Sequence, residues 1–371
     1  MIIKKDDGLA VLMRKFLKDY NTQNCSMIVL KTCFDQQEKT VSFVFSENIE
    51  GIVAKCDDVD FTASINGSFF ITAILSELDR LGEVKVCRPD PEKNTIAVNS
   101  IKFDECEFES KSFPNIETDI SFTKEEFEKL GNEFTCTTGN WFVSPKTTDV
   151  IGFYVYEGVL HKVLPGISVY KIGKFDASVD AVRLEQRYGH SASTWLLPRP
   201  VYDIFAGDAV KMALNSEGLV LTNGWLALSY STPEMSTNAF KKKITAARNA
   251  TADAVHKSPM KPYKAIDFSV FMKAGFESEE DRNVKIYKDN ITNTKPGEMT
   301  VVIDDAKFNA NFEGIDEGVS LNTNLSSLAF ILGQISDDAQ IAEANTETDS
   351  VYVIIDGDEF IFVPHVREIG Y

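Results

Sequence analysis

Single helices set among strand-like segments recur along this sequence at intervals of roughly 55 to 75 residues, a rhythm that restricts the chain to a repeated helix-on-sheet unit. A lone amphipathic helix must bury its stripe on a neighbouring sheet, so each repeat carries its own layer of core. Residues 8–20, GLAVLMRKFLKDY, place Leu9, Leu12, Met13, Phe16, Leu17 and Tyr20 on one helical face, and Arg14, Lys15 and Lys18 fall off it. Residues 68–82 align Phe70, Ile74, Leu78 and Leu81, with Arg80 outside the stripe and Gly82 as the stop. Within 119–134, Thr123 and Glu126 have capping-box spacing. They precede an apolar stripe of Phe127, Leu130 and Phe134 that leaves Lys124 and Lys129 outside. Pro200 near the first helical position and Gly207 past the last bound a short helix in 197–207. Segments 263–276 and 322–336 repeat the pattern through Phe268, Phe271, Met272 and Phe276, and through Leu325, Leu328, Leu332 and Ile335.

Between these helices lie β-branched or alternating runs at 26–34, 40–47, 95–103, 150–157, 209–215, 218–231, 283–291, 299–305 and 350–366. Asn223-Gly224 and the DGDE of 356–359 are hairpin-turn signals. The expected fold class is therefore α+β, mostly antiparallel sheet with isolated helices. The repetition is one of element order, without self-similarity in the letters. At 371 residues the chain suits two or three domains.

Charge and motifs narrow the function. The formal net charge of −18 disfavours binding of nucleic acid by the whole surface, so any phosphate contact must be local. One stretch, FKKKITAAR (240–248), runs against that balance, and a short cationic run of this kind is ordinarily a solvated linker. The six cysteines all lie within the first 136 residues, without CxxC spacing, and read as reduced, mostly buried thiols. No run of about 18 apolar residues and no signal-peptide pattern occurs, so a soluble, cytoplasmic protein is expected. Searches for a phosphate-binding glycine loop, a dinucleotide fingerprint, a nucleophile elbow and a zinc HExxH find none. The acids of CDDVDF (56–61) and DGDEF (356–360) lack the ligand spacing of a calcium loop and read as solvated turns. Tyr188-Gly189-His190-Ser191 lacks a third orienting group. The expectation is a binding protein without catalytic residues, cofactor or metal.

Three segments carry a family resemblance. Residues 67–130 run helix, strand, strand, Phe113-Pro114 and the next helix, which resembles the passage from the first to the second domain of the bacterial sliding clamp, the beta subunit of the replicative DNA polymerase. Residues 196–235, opened by Leu197-Pro198-Arg199, are similar to the second half of that family's central domain. Residues 319–367 look like its last half-domain, with Pro364 where the terminal strand of the family carries a proline. The loop that in the family reads like TDGHRLA is matched here to LPGISVYKIG (164–173), and Glu368 to Tyr371 run past the usual end. Such departures suit a divergent or phage-encoded member.

The resemblance implies three similar domains, at 1–120, 121–256 and 257–371, each of antiparallel sheets with two helices, closing as a homodimeric ring around duplex DNA. Twelve helices about 9–10 Å apart enclose a circle of about 35 Å diameter before side chains, enough for a duplex and water. Topology then holds the ring on DNA, and the lining needs only diffuse cations, for which Lys15, Lys18, Arg80, Lys124, Lys129 and Arg199 are the candidates. FKKKITAAR falls in the passage from the second to the third domain, part linker and part phosphate attraction. The dimer is expected to join an edge strand around Phe103 to the region of Phe271 and Phe276. Polymerase and clamp loader are implied to dock by short peptide motifs in a cleft between the second and third domains. Its walls would be Leu164, Ile167, Val169, Phe362, Val363 and Val366, near Pro233, with Gly166 permitting close backbone approach. Pro364 lacks a ladder donor and so suits a sheet edge. Two readings stand beside this one: a β-rich viral capsid or tail protein, and a metal-dependent hydrolase using Asp57, Asp58 and Asp60.

Overall fold

The computed structural model describes residues 1–20, 29–45, 49–108, 112–137, 150–156, 159–165, 170–189, 193–216, 218–231, 245, 257–266, 283–287, 298–303, 306–311, 321–345 and 350–364. The chain divides into two compact units. One comprises Met1–Gly131, Asp176–Arg183 and Trp195–Glu234; the other comprises Asn132–Phe175, Leu184–Thr194 and Met235–Tyr371.

The described elements begin with β1 (Ile2–Lys4), α1 (Gly8–Tyr20), β2 (Val29–Asp35), β3 (Thr40–Phe45), β4 (Ile49–Lys55), β5 (Ala63–Asn66), α2 (Gly67–Leu81), β6 (Glu83–Cys87), β7 (Thr95–Val98) and β8 (Ile101–Asp104). They continue with β9 (Ile120–Phe122), α3 (Lys124–Thr137), β10 (Val150–Tyr156), β11 (Val159–Pro165), β12 (Tyr170–Gly173), β13 (Ser178–Val179), α4 (Ala181–Tyr188), β14 (Ser193–Pro198), α5 (Arg199–Phe205), β15 (Val210–Asn215), β16 (Gly218–Thr222) and β17 (Leu226–Tyr230). The last are β18 (Lys257–Pro259), α6 (Lys261–Lys264), β19 (Asn283–Tyr287), β20 (Glu298–Ile303), β21 (Ala306–Asn311), β22 (Leu321–Asn324), α7 (Leu325–Leu332), β23 (Gln340–Asn345), β24 (Ser350–Asp356) and β25 (Glu359–Pro364).

In the first unit a nine-stranded sheet runs β13-β9-β15-β16-β17-β4-β3-β2-β5, and a four-stranded sheet runs β1-β6-β7-β8. The pairing of β17 with β4, Leu226 opposite Ala54 and Leu228 opposite Ile52, fuses strands from two distant stretches of chain into one sheet. Helix α2 lays Phe70, Ile71, Ile74, Leu75 and Leu78 into the core and stops at Gly82, whose left-handed φ of 82° lets its N–H reach the Leu78 carbonyl at 2.8 Å. The capping box of α3 is formed as its spacing predicts. The Thr123 N–H donates to Glu126 Oε2 at 2.7 Å, and the Glu126 N–H donates to Thr123 Oγ1 at 3.2 Å. Phe127 of α3 stacks on Tyr202 of α5 with ring centroids 4.7 Å apart, and a Cβ at Gly131 would run into the Tyr202 hydroxyl. Gly131 is thus what lets the two helices approach.

In the second unit seven strands run β10-β11-β12-β25-β24-β23-β18, and a separate sheet runs β21-β20-β19-β22. A core of Tyr263, Val284, Ile286, Met299, Val301, Leu321, Leu328, Ile331, Ile354, Ile361 and Val363 fills the space around α7. Its strands alternate as the pleat requires, so that Ile361 and Val363 of β25 share one face.

The α+β class with antiparallel sheets stands as expected, and three local readings need correction. Residues 95–103 form a hairpin and not one strand. Asn99 turns the chain at φ 53°, accepting from the Lys85 N–H at 3.0 Å and donating to Glu77. Helix α7 begins at Leu325, because Leu321–Asn324 pair with β19. Helix α4 was not anticipated. It has one buried apolar residue, Leu184, so no stripe shows in the sequence, and its start is signalled only by the Asp180 carboxylate accepting from the Arg183 N–H at 3.0 Å. Of the helix expected over 263–276, the chain shows α6, which ends at Lys264; residues 267–276 lie outside the described residues.

Candidate functional site

Of the cations off the apolar stripes, each whose side chain is described has a partner within the first unit. Arg80, at the end of α2, donates from Nε and Nη2 to Glu77 at 3.1 and 2.7 Å. That guanidinium, with the Asn99 amide, holds the Glu77 carboxyl below the usual carboxylate range. Lys124 lies 3.9 Å from Glu128 one turn along α3, Lys129 3.4 Å from Asp176, and Arg199 3.6 Å from Asp203 one turn along α5. Arg14 of α1 bonds the Lys5 carbonyl at 2.7 Å and reaches Asp79 at 3.4 Å. Lys15 differs. Its ammonium donates to the carbonyls of Asp203 and Ile204 at 2.8 and 3.0 Å, capping the last turn of α5 and joining α1 to it. Lys18 lies on α1, with its side chain outside the described residues.

Apart from Glu77, which is mostly covered, these pairs stand at the surface, with the Lys129 side chain 66% accessible, and surface pairs of this kind contribute little to stability. They also run partly against helix electrostatics. Lys124 and Arg199 open their helices and their acids follow, the less favourable order for the macrodipole. Helix stability is therefore a poor explanation for them.

Strand β8 is the edge of its four-stranded sheet, as expected around Phe103. Phe103 packs edge-on against Phe70 with centroids 5.1 Å apart and lies beside Phe69, whose side chain stands 73% exposed. Ile101 and Phe108 are exposed nearby in sequence. Phe271 and Phe276 lie outside the described residues, as do Gly166, Ile167, Val169, Pro233 and Val366. Of FKKKITAAR only Thr245 is described.

In the second unit, β12 pairs with β25, Tyr170 opposite Phe362 and Lys171 opposite Ile361. Strand β12 thus stands between β25 and β11, where Leu164 and Pro165 are the described part of the first stretch expected to wall a cleft. Leu164 itself pairs with Lys171, and its side chain is outside the described residues. Phe362 and Val363 are buried, on opposite faces of β25, and Val363 belongs to the core. Strand β25 is flanked by β12 and β24 and so is not an edge along its length. Pro364 pairs with Val351 of β24, beyond the last described partner on β12.

At this junction lies a charge network that the sequence reading missed. Lys162 Nζ is 2.5 Å from Glu133 of α3 and 3.3 Å from Glu359 of β25, and Lys171 Nζ is 2.6 Å from Glu359. The Lys162 side chain is only 7% exposed. Burial opposes its charge, but Glu133 and Glu359 together outweigh that and hold its pKa above the ordinary lysine value. Burial also pushes the Glu133 carboxyl up, against the pull of Lys162, and Glu133 Oε2 has no hydrogen-bond partner.

Against solved structures the whole chain finds counterparts. Pseudomonas aeruginosa DNA polymerase III subunit beta matches at a TM-score of 0.62, with 11% identity and 99% of each chain covered. The fold is that of the bacterial sliding clamp. Caulobacter crescentus pol III beta matches at 0.60 with 15% identity, again over 99% of each chain. The Helicobacter pylori beta clamp, solved with a DNA ligase peptide bound, matches at 0.59 with 13% identity and the same coverage. No family model and no curated protein matches the sequence. The clamp fold therefore persists here at an identity where few side chains correspond. Among the described residues no helix is long and apolar enough to cross a membrane, and no group of acids, histidines and cysteines could hold a metal ion.

Proposed function

We propose that this protein is a DNA sliding clamp: a non-catalytic ring around duplex DNA that tethers a replicative polymerase and gives it processivity, working in the cytoplasm of a bacterium or of a phage-infected host. The observation that carries the reading is the clamp fold along 99% of the chain. The acidic balance, the exposed cations of α2, α3 and α5, and the apolar edge at β8 all fit it. In this reading three domains, 1–120, 121–256 and 257–371, repeat twice around the ring. The β8 edge with Phe103 joins the region of Phe271 and Phe276 of a second copy. Polymerase and loader dock by short peptides beside the junction of β12 and β25, a mode of binding in keeping with the DNA ligase peptide bound to the Helicobacter pylori clamp. A viral shell protein or a metal-dependent hydrolase accounts for no clamp fold end to end.

Particle images decide the matter: negative-stain fields of the purified protein should show rings with a central hole, and light scattering should return twice the 41.4 kDa chain mass. A monomer at micromolar concentration, or a large shell, would sink the reading. Removing residues 365–371, which leaves Phe362 and Val363 in place, should weaken binding of a glutamine-led hydrophobic peptide in fluorescence anisotropy while the dimer persists.

A further inference from the structure

Every exposed candidate cation whose contacts are described, Arg80, Lys124, Lys129 and Arg199, meets a carboxylate of its own helix or of an adjoining loop: Glu77, Glu128, Asp176 and Asp203. Resting on the clamp reading, we infer that these four acids act as internal competitors with DNA phosphate and set how weakly the lining grips the duplex. A cation already paired to a carboxylate gives up that partner when it meets a phosphate. The exchange replaces one anion by another, and the freed carboxylate attracts cations from solution in place of those released from DNA, so the net attraction and the net counterion release per contact are small. Glu77, only 13% exposed and also bonded to Asn99, holds Arg80 closely; the other three pairs stand in water and are loose enough to exchange, at 3.4 to 3.9 Å. They contribute little to folding, and two run in the order that the helix dipole disfavours. A ring held on by topology benefits, because strong phosphate contacts would slow its sliding without adding retention.

The test uses the full chain, a fluorescent duplex of about 30 base pairs and a salt titration. Glu77→Gln, Glu128→Gln, Asp176→Asn and Asp203→Asn together should tighten duplex binding about tenfold at low salt and steepen the dependence of log K on log salt by up to about 0.9 for each cation freed. Four exposed acids elsewhere, Glu38, Asp57, Glu83 and Glu92, neutralised in the same way change the net charge equally and should give a much smaller gain. Adding Arg80→Gln, Lys124→Gln, Lys129→Gln and Arg199→Gln to the first set should return binding to its starting level. Equal gains from both sets of acids, or an unchanged salt slope, overturns the inference. Particle images of the unaltered protein report on the ring independently: rings together with an unchanged slope would overturn the inference and leave the clamp reading standing. Rings absent while the slope steepens would sink the clamp reading, and with it the braking role, leaving only a local charge effect.

Discussion

Two sets of ion pairs divide this molecule. On the helices of the first unit, carboxylate and cation meet at the surface, one turn apart or, for Lys129 and Asp176, from separate elements, with Glu77 the one acid that is mostly covered. In the second unit, Lys162, Lys171, Glu133 and Glu359 meet with Lys162 almost fully enclosed, between α3, β11, β12 and β25. The same functional groups therefore do opposite work. Exposed pairs are screened and exchangeable, suited to touching a partner briefly. A buried network is costly to form and costlier to leave half-made, so it holds strands from distant parts of the chain in one arrangement.

The largest expected effect comes from breaking the buried set. Lys162→Met leaves Glu133 and Glu359 facing each other without their shared cation and should cost about 3–5 kcal/mol in urea unfolding. A cost under about 1 kcal/mol would show that water replaces the lysine, which would erase the contrast between the two regions.

Titration reaches the same interaction more gently. The folded-state pKa of Lys162 is raised, so the stability its charge contributes is fully present below the unfolded-state pKa and is lost as pH rises through the folded one. Thermal melts should accordingly show an alkaline loss, above the ordinary lysine range, that Lys162→Met abolishes. Glu77, whose pKa is lowered, has the opposite sign. What it contributes is present above its unfolded pKa and lost as pH falls through the folded one, and carboxylate NMR shifts should place its midpoint below that of an ordinary glutamate.

Gly131→Ala sharpens the comparison from the first unit's side. There α3 and α5 touch through Gly131 and Tyr202, and a methyl group in that contact should cost about 1–3 kcal/mol by chemical denaturation. The first unit is thus expected to be sensitive in its packing and indifferent in its surface charges. The smallest effect should follow Lys124→Ala with Glu128→Ala, a change within about 0.5 kcal/mol in the same assay. A larger loss would mean that the exposed pairs are structural after all.

Much of this was legible from the sequence because it depends on neighbours in the chain. The stripe of α2 and its Gly82 stop, the capping box of Thr123 and Glu126, and the Pro200 start of α5 are contacts between residues within four positions, and local chemistry decides them. The Glu77–Arg80, Lys124–Glu128 and Arg199–Asp203 pairs have the same local spacing and were there to be read beside the cations. Helix α4 escaped because a helix with one buried residue has no stripe. The 95–103 hairpin escaped because Asn99 takes up its left-handed turn within a run that otherwise reads as continuous strand.

Tertiary structure alone decided the rest. That β17 pairs with β4, that Tyr170 lies opposite Phe362, that Lys129 meets Asp176 and that Lys162 draws Glu133 and Glu359 together are contacts between residues 29 to 197 positions apart in the chain. A lysine in an alternating strand shows where it points only once its register is known, and register is set by the partner strand. The sequence by itself therefore determined most of the helices and strands, those with an apolar stripe or a local stop signal, and that cations stand off the stripes. Which of those cations stay in water and which are enclosed was settled by how the sheets assemble, since burial is a property of the whole packed unit.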